Sequence, residues 1–326
     1  MSRTINWGVL GTASIAKGQV IPGMMKAENA NLYAIAGRNS NKVKAFKEEF
    51  GFEKGYDSLD ELLEDEDVDA VYIPLPNNLH REWILKAAEK KKHILCEKPL
   101  VPSPEEAEEV VAFCRKQGVI LAEAFAYLHN PMTREIINIV REGQIGTPVL
   151  IEAHFFSKKW PEDNIRLRKD LYGGCTYDLA CYNISMILQL MGEMPCQIDA
   201  MAHFLESGVD DYSNLFLKFP SGAYASATCG MCSSERATRL YVHGSEGTVE
   251  TEIAYNGEGE LSYYLTKGKE RNLHKVQVPS NYMLEIEQFG RCVLGEEAEP
   301  LVSNAFTLQV ARIVQEALKK IGYESF

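Results

Sequence analysis

Over the first 124 residues, short apolar runs alternate with helix-patterned stretches, and that rhythm admits few folds. Ile5–Leu10, Asn31–Ala36, Ala70–Ile73, His93–Cys96 and Val119–Ala122 read as strands, with little polar alternation along them. Strands apolar on both faces belong in a parallel sheet covered by helices on each side. Between them, Val43–Phe50 and Glu105–Gln117 carry helical patterns, as does Asp57–Asp69, with Leu59, Leu62 and Leu63 on one face and an acidic run on the other. Strands and helices in this order predict a doubly wound, open parallel sheet. In such a sheet, ligands bind beyond the carboxyl ends of the strands.

The residues at those ends are therefore the ones to examine. The first strand runs into Gly11-Thr12-Ala13-Ser14-Ile15-Ala16. This is a dinucleotide fingerprint with alanine at the second and third glycine positions. Gly11 can make the tight turn, and the amides of residues 12–15 can face a pyrophosphate at the positive end of a helix. An ordinary glycine turn is the alternative. The second strand ends at Gly37-Arg38-Asn39 with no acid beside it. An acid there would suit the ribose hydroxyls of NAD, whereas Arg38 suits a 2′-phosphate, which leans the reading toward NADP over NAD; a solvated loop arginine is the other reading. Ala70–Ile73 runs into Pro74-Leu75-Pro76-Asn77-Asn78, and His80 opens the next helix, either packing or touching the cofactor. The strand His93–Cys96 stops at Glu97-Lys98-Pro99, because proline has no N–H to continue a ladder. Lys98, bracketed by a carboxylate and a proline at this edge, is the first candidate for chemistry.

After residue 124 the pattern changes. Phe125–Pro131, which includes Tyr127, His129 and Asn130, is an aromatic link before a helix at Met132–Arg141. Val149–Phe156 alternates like a strand, and a polar, aromatic loop with Trp160, Asn164 and Arg166 follows. Gly173-Gly174 punctuates before a helix at Tyr177–Met191, where Asp178 and Tyr182, four residues apart, share a face. From Gln197 to Thr266, strand-like runs separated by turn residues predict hairpins in a largely antiparallel sheet. Helical patterns return at Tyr282–Leu294 and Ala305–Ile321. The expected division is 1–124 and 125–326: an α/β doubly wound domain, then an α+β domain with a large, mostly antiparallel sheet.

Composition narrows the partners. A net charge of -12 argues against nucleic acid, whose phosphates are held by clustered lysine and arginine. There is no apolar run of bilayer length and no signal-peptide pattern, so no membrane partner and a cytoplasmic location are expected. Eight scattered cysteines fit reduced thiols. Cys229 and Cys232 form an isolated C-x-x-C with no second pair, so packing rather than zinc is expected, and no metal site is read elsewhere.

Together these pieces resemble the glucose–fructose oxidoreductase, inositol dehydrogenase and rhizopine-catabolism (Gfo/Idh/MocA) family over nearly the whole chain. The resemblance rests on Gly8–Ala16, Gly37-Arg38, Glu97-Lys98-Pro99, Gly173-Gly174 through Tyr182, and His243–Thr248. It implies a Rossmann domain holding NAD(P), with Gly11 to Ile15, Arg38, Leu75, Pro76, Asn77, His80, Glu97, Lys98, Trp160 and Arg166 as cofactor residues. It implies redox chemistry on a sugar, polyol or diol, with Lys98, Tyr127, Asp178, Tyr182 and Tyr282 at the substrate. The tyrosine at 182, with Asn164 and Arg166, is similar to the branch of glucose–fructose oxidoreductase and dimeric dihydrodiol dehydrogenase. A homodimer or homotetramer through the second domain's sheet follows from the same resemblance.

The expected catalytic set is Tyr182 as acid/base, Lys98 as its electrostatic partner and Asp178 as positioning carboxylate; Lys98 as the base itself stays open. Two other readings remain: a non-catalytic NAD(P)-binding regulator on the same fold, and an enzyme whose cofactor does not exchange between turnovers. Arg38 yields a direct prediction. A charge-assisted contact to a phosphate contributes about 1.5–3 kcal/mol, so Arg38→Ala should raise the NADP dissociation constant by about 10–100-fold while leaving that for NAD within a few-fold. Fluorescence titration with both nucleotides measures it, and equal effects on both would refute the role.

Overall fold

The computed structural model describes residues 3–252 and 255–323. These form two compact units, 3–129 with 279–308, and 130–252 and 255–278 with 309–323. The first is built on a six-stranded parallel sheet in the order β3-β2-β1-β4-β5-β6, with β1 Ile5–Leu10, β2 Ala30–Ala36, β3 Lys54–Tyr56, β4 Ala70–Ile73, β5 His93–Glu97 and β6 Leu121–Ala124. The order reverses at β1, which pairs with β2 on one side and β4 on the other, creating the crevice where ligands bind in such sheets. β4 is wholly buried along its length, as a strand covered on both faces must be. The last strand lies two residues later than its pattern suggested, since Val119 and Ile120 complete the turn after the preceding helix.

The covering helices are α1 Ile21–Lys26, α2 Ser40–Phe50, α3 Leu59–Glu64, α4 Asn77–Glu89 and α5 Pro104–Gln117. α2, α3 and α5 begin at Asn39, Ser58 and Ser103, whose side chains accept first-turn amides. In α3, Leu59, Leu62 and Leu63 face the core and the acidic residues face water, as the run of charge suggested.

In the second unit, α6 Pro131–Arg141 and α7 Cys181–Met191 accompany an eight-stranded sheet in the order β14-β13-β12-β11-β7-β10-β9-β8. Its strands are β7 Pro148–Lys158, β8 Gln197–Phe204, β9 Asp210–Lys218, β10 Tyr224–Ser233, β11 Ala237–Gly244, β12 Gly247–Thr251, β13 Gly259–Lys267 and β14 Glu270–Val278. Every pair is antiparallel except β7 with β10. One face of β7 and β10 packs against α7. The register places Met201, Tyr212, Phe216 and Tyr224 together on the opposite face, where they are exposed.

The sequence pattern assigned the helix near residue 282 to the second half of the chain. As α8, Asn281–Val293, it belongs to the first unit. The reason is packing that linear order hides. Trp7 of β1, fully buried, meets Phe289 with ring centroids 5.3 Å apart, and Asn29 donates to the Glu287 carbonyl at 2.9 Å. α1 and α8 approach so closely that a Cβ on Gly23 would lie 2.8 Å from Tyr282 Cβ and 2.9 Å from the Met283 nitrogen. Neither neighbour can yield, since one is backbone and the other sits next to it. Gly23→Ala should therefore cost about 1–3 kcal/mol despite the higher helix propensity of alanine. Gly18→Ala, with open space around it, is the control and should be neutral or slightly stabilising in urea titrations. Equal behaviour of the two variants would refute this packing.

Candidate active site

In the first unit the carboxyl ends of β1, β2, β4 and β5 lie at one edge, so four separate turns are brought together by parallel register alone. Gly11 has φ +127°, a region L side chains avoid, and its Cβ position is 3.2 Å from Leu75 Cδ2 in the turn after β4. The first helical bond runs from the Lys17 amide to the Ala13 carbonyl, which leaves the amides before it outside the ladder. Ala16, at the third fingerprint position, is completely buried, as close helix–strand packing requires. Gly37 is the neighbour of Thr12: a Cβ there would lie 3.5 Å from Thr12 Cγ2 and 3.2 Å from Val43. Arg38 beside it is exposed. This cradle fits a dinucleotide: a glycine turn, amides at a helix start, and a cation one strand away.

Glu97 and Lys98 close β5. Tyr72 of β4 donates its hydroxyl to Glu97 Oε1 at 2.6 Å, and burial with the nearby carboxylate pushes that phenol well up, so Tyr72 stays neutral. Of the two readings of His80, packing and a cofactor contact, the structure displays the packing. His80 has no exposed surface, its Nε2 sits 2.8 Å from the Leu75 carbonyl, and its Nδ1 sits 3.0 and 3.2 Å from the carbonyls of Pro99 and Leu100. Burial pushes this imidazole down while the three carbonyls pull it back up. His80 is thus a brace between the turns after β4 and β5, with both ring nitrogens engaged. Tyr127, read as a substrate residue, is fully buried and lies edge-on to Phe125 at 6.2 Å. Tyr282 is half-buried in the first turn of α8.

In the second unit, the helix bearing Asp178 and Tyr182 begins with a π-helical turn at Thr176–Ala180 and continues as α7. Its start is anchored from β9. Asp210 Oδ2 accepts from the Thr176 amide at 2.8 Å, the Thr176 hydroxyl at 2.7 Å and the Cys175 thiol at 3.0 Å. Gly174, at φ +111°, has no room for a Cβ because Asp210 Oδ1 would lie 2.2 Å away. Cys229 joins this buried network through Ser213 at 3.1 Å, so it packs as expected. Asp178 has a partner that the sequence reading did not assign: Arg166 donates from Nε to its Oδ2 at 2.7 Å, and the same guanidinium lies over Trp160, 4.5 Å from the ring centroid. The Trp160 indole nitrogen is buried without a hydrogen-bond partner. Tyr182 is walled by Phe155 at 5.2 Å and Tyr255 at 5.5 Å. Tyr255 in turn donates to Asn183 at 2.8 Å.

The structure therefore assembles Gly11–Ile15, Arg38, Leu75–Asn77, Glu97 and Lys98 in one unit, and Trp160, Arg166, Asp178 and Tyr182 in the other. Sequence reasoning missed Asp210, Glu123 and Tyr255. Glu123 did leave a signal, an acid inside the apolar run Leu121–Ala124. Asp210 left none, because its partners are 34 residues away in sequence.

With this geometry in view, comparison with known proteins is decisive. Residues 5–125 match the oxidoreductase family with an NAD-binding Rossmann fold, and residues 133–250 match the GFO/IDH/MocA C-terminal domain. The chain belongs to the Gfo/Idh/MocA family. It is an NAD(P)-dependent oxidoreductase with the two-domain fold of that family. It is 33% identical to the D-xylose 1-dehydrogenase (NADP(+)) 2 of Haloferax volcanii over 94% of both chains. It is 30% identical to the trans-1,2-dihydrobenzene-1,2-diol dehydrogenase of Mus musculus over 98% of this chain and 97% of that one. Among solved structures, KijD10, a 3-ketoreductase from Actinomadura kijaniata in complex with NADP and TDP-benzene, superposes with a TM-score of 0.92 at 28% identity, covering 98% of each chain.

The Arg166–Asp178 pair generates its own prediction. Removing Arg166 leaves a carboxylate at 16% side-chain exposure without its cation, so Arg166→Ala should lower kcat/KM by about 10–100-fold, the cost of a lost charge-assisted bond. Arg166→Lys, which cannot stack on Trp160 in the same plane, should recover only part of it. Steady-state kinetics on both variants measures this, and full recovery by lysine would contradict the role of the planar group.

Proposed function

We propose that this chain moves hydride between NADP(H) and a CH–OH carbon of a sugar, polyol or trans-dihydrodiol, using Tyr182, Lys98 and Asp178. The observation that supports it best is the setting of Tyr182. An unperturbed phenol ionises near ~10, too high for a good base at neutral pH, and the Tyr182 ring lies against Phe155 and Tyr255. A tyrosine placed there moves a proton at neutral pH only if a cation accompanies it. Lys98 supplies that cation: its ammonium favours the phenolate, and it binds the substrate hydroxyl. Asp178, held by Arg166, orients the substrate. Bound NADP supplies the hydride acceptor. During oxidation Tyr182 Oη takes the hydroxyl proton as the carbon gives up hydride, and in reduction it returns that proton to the new alkoxide.

The lean to NADP rests on Arg38, and the names of relatives that act on D-xylose and on a trans-dihydrodiol favour a vicinal hydroxyl substrate. The exposed face carrying Met201, Tyr212, Phe216 and Tyr224, with Met201 at 69% and Tyr224 at 51% exposure, supports pairing with a second copy of the chain, since side-by-side apolar groups of this size favour burial. A soluble oligomer in the cytoplasm is the setting this reading assumes.

A screen of pentoses, hexoses and trans-dihydrodiols with NADP and with NAD, read by nicotinamide absorbance, should show turnover with at least one of them. On that substrate Lys98→Met and Tyr182→Phe should each lower kcat by about 10²–10⁴-fold, the usual contribution of a positioned proton-transfer group. An undiminished rate in either variant refutes its role.

A further inference from the structure

The turn that carries Lys98 is held by an acid that the proposed chemistry does not use. Glu123 is the third residue of β6 and pairs with Cys96 across the β5–β6 ladder. It is 3% exposed. Its Oε1 accepts the Leu100 amide at 2.9 Å. Its Oε2 is buried without a hydrogen-bond partner, and the Thr307 hydroxyl, also without one, favours the charged form of the carboxyl. On the other side of the same turn, His80 engages the carbonyls of Pro99 and Leu100. The backbone around Lys98 is therefore gripped from both sides, by an imidazole on its carbonyls and a carboxyl on its amide. The charged and titratable groups that act on Glu123 are Lys98, Glu97 and Cys96 of β5 and its turn, and the Thr307 hydroxyl comes from α9, the helix Asn304–Ile321.

We propose that Glu123 is a positioning residue for Lys98: it ties down the Leu100 end of the turn, and its charge state sets the field felt by the Lys98 ammonium. This rests on the role given to Lys98 above. A buried carboxyl of this kind is not needed merely to cap an amide, since a neutral acceptor would do so without the desolvation penalty of an acid. Burial pushes it up to about 7 against the Thr307 hydroxyl, the Leu100 amide and Lys98, which favour the charged form, and Glu97 pushes it further, so it changes charge near neutral pH. When ionised, Glu123 stabilises the ammonium and offsets part of its pull on the phenol. When neutral, it leaves the charge of Lys98 uncompensated from this side, and the phenol ionises more easily.

The first test needs no substrate. Carbon-13 titration of the glutamate carboxyls should show one group with a midpoint near 7 in the wild-type protein, moving to higher pH in Lys98→Met, because the cation that favours its charged form is gone. A wild-type protein with no glutamate titrating there, or a midpoint unmoved by Lys98→Met, overturns the proposal. The second test is Glu123→Gln, which keeps an acceptor for the Leu100 amide but cannot ionise. With NADP and the best sugar or diol of the screen, its kcat/KM profile for oxidation should keep most of its height while its acid limb moves down by about half to one pH unit. A uniform loss at every pH with no displacement marks a purely structural residue and refutes the proposal. Should Glu123→Gln fail to accumulate, the wild-type and Lys98→Met titrations decide alone. Full activity in Lys98→Met would instead refute the catalytic reading, whatever the titrations show.

Discussion

Parallel register in the first sheet is the constraint from which the rest of the site follows. Because β2, β1, β4 and β5 all run the same way, their turns emerge at one edge without any side chain having to bring them together. Arg38, the Gly11 turn, Leu75 and Lys98 thus become neighbours through hydrogen-bonded backbone. Lys98 needs more than a place at that edge, because a flexible turn would let its ammonium return to water. His80 and Glu123 supply the restraint: they satisfy buried carbonyls and a buried amide that would each be costly to leave unpaired.

The second unit reaches precision by a different route. No sheet edge positions Asp178 and Tyr182; they ride on a helix whose first turn is wide and whose start is pinned by Asp210. One carboxylate oxygen takes two hydroxyl or amide donors and a thiol, which anchors the helix against β9 more firmly than a local cap residue would. The adjoining glycines leave no space for side chains: a Cβ on Gly173 would lie 2.4 Å from the Arg166 carbonyl. The loop holding Arg166 and the helix holding Asp178 are therefore packed backbone to backbone, and the 2.7 Å ion pair between them is a consequence of that contact.

What the sequence made legible, and what it hid, divides along the same physical line. Elements governed by local pattern were readable: buried strands such as Ala70–Ile73, the amphipathic stretch with Leu59, Leu62 and Leu63, and the abrupt stop at Pro99. Residues at strand ends were readable too, because topology alone places Gly11 and Lys98. Features that depend on contacts between distant segments were not. His80 reads as a polar residue in a loop-proximal helix, and only its three carbonyl partners make it a brace. Tyr127 reads as a pocket aromatic, and its complete burial against Phe125 is visible only in the fold. The assignment of α8 to the first unit depends on Gly23 and Trp7, more than 250 residues upstream, a separation at which sequence periodicity carries no information.

The chemistry we propose requires that Lys98 Nζ and Tyr182 Oη serve one reacting hydroxyl. A crystal structure of the protein with NADP and its best sugar or diol tests this most directly. Both atoms should lie within hydrogen-bond distance, about 3 Å, of the same substrate oxygen, with its carbon facing the nicotinamide. A complex in which either atom lies well outside that distance while substrate sits against the nicotinamide would contradict it.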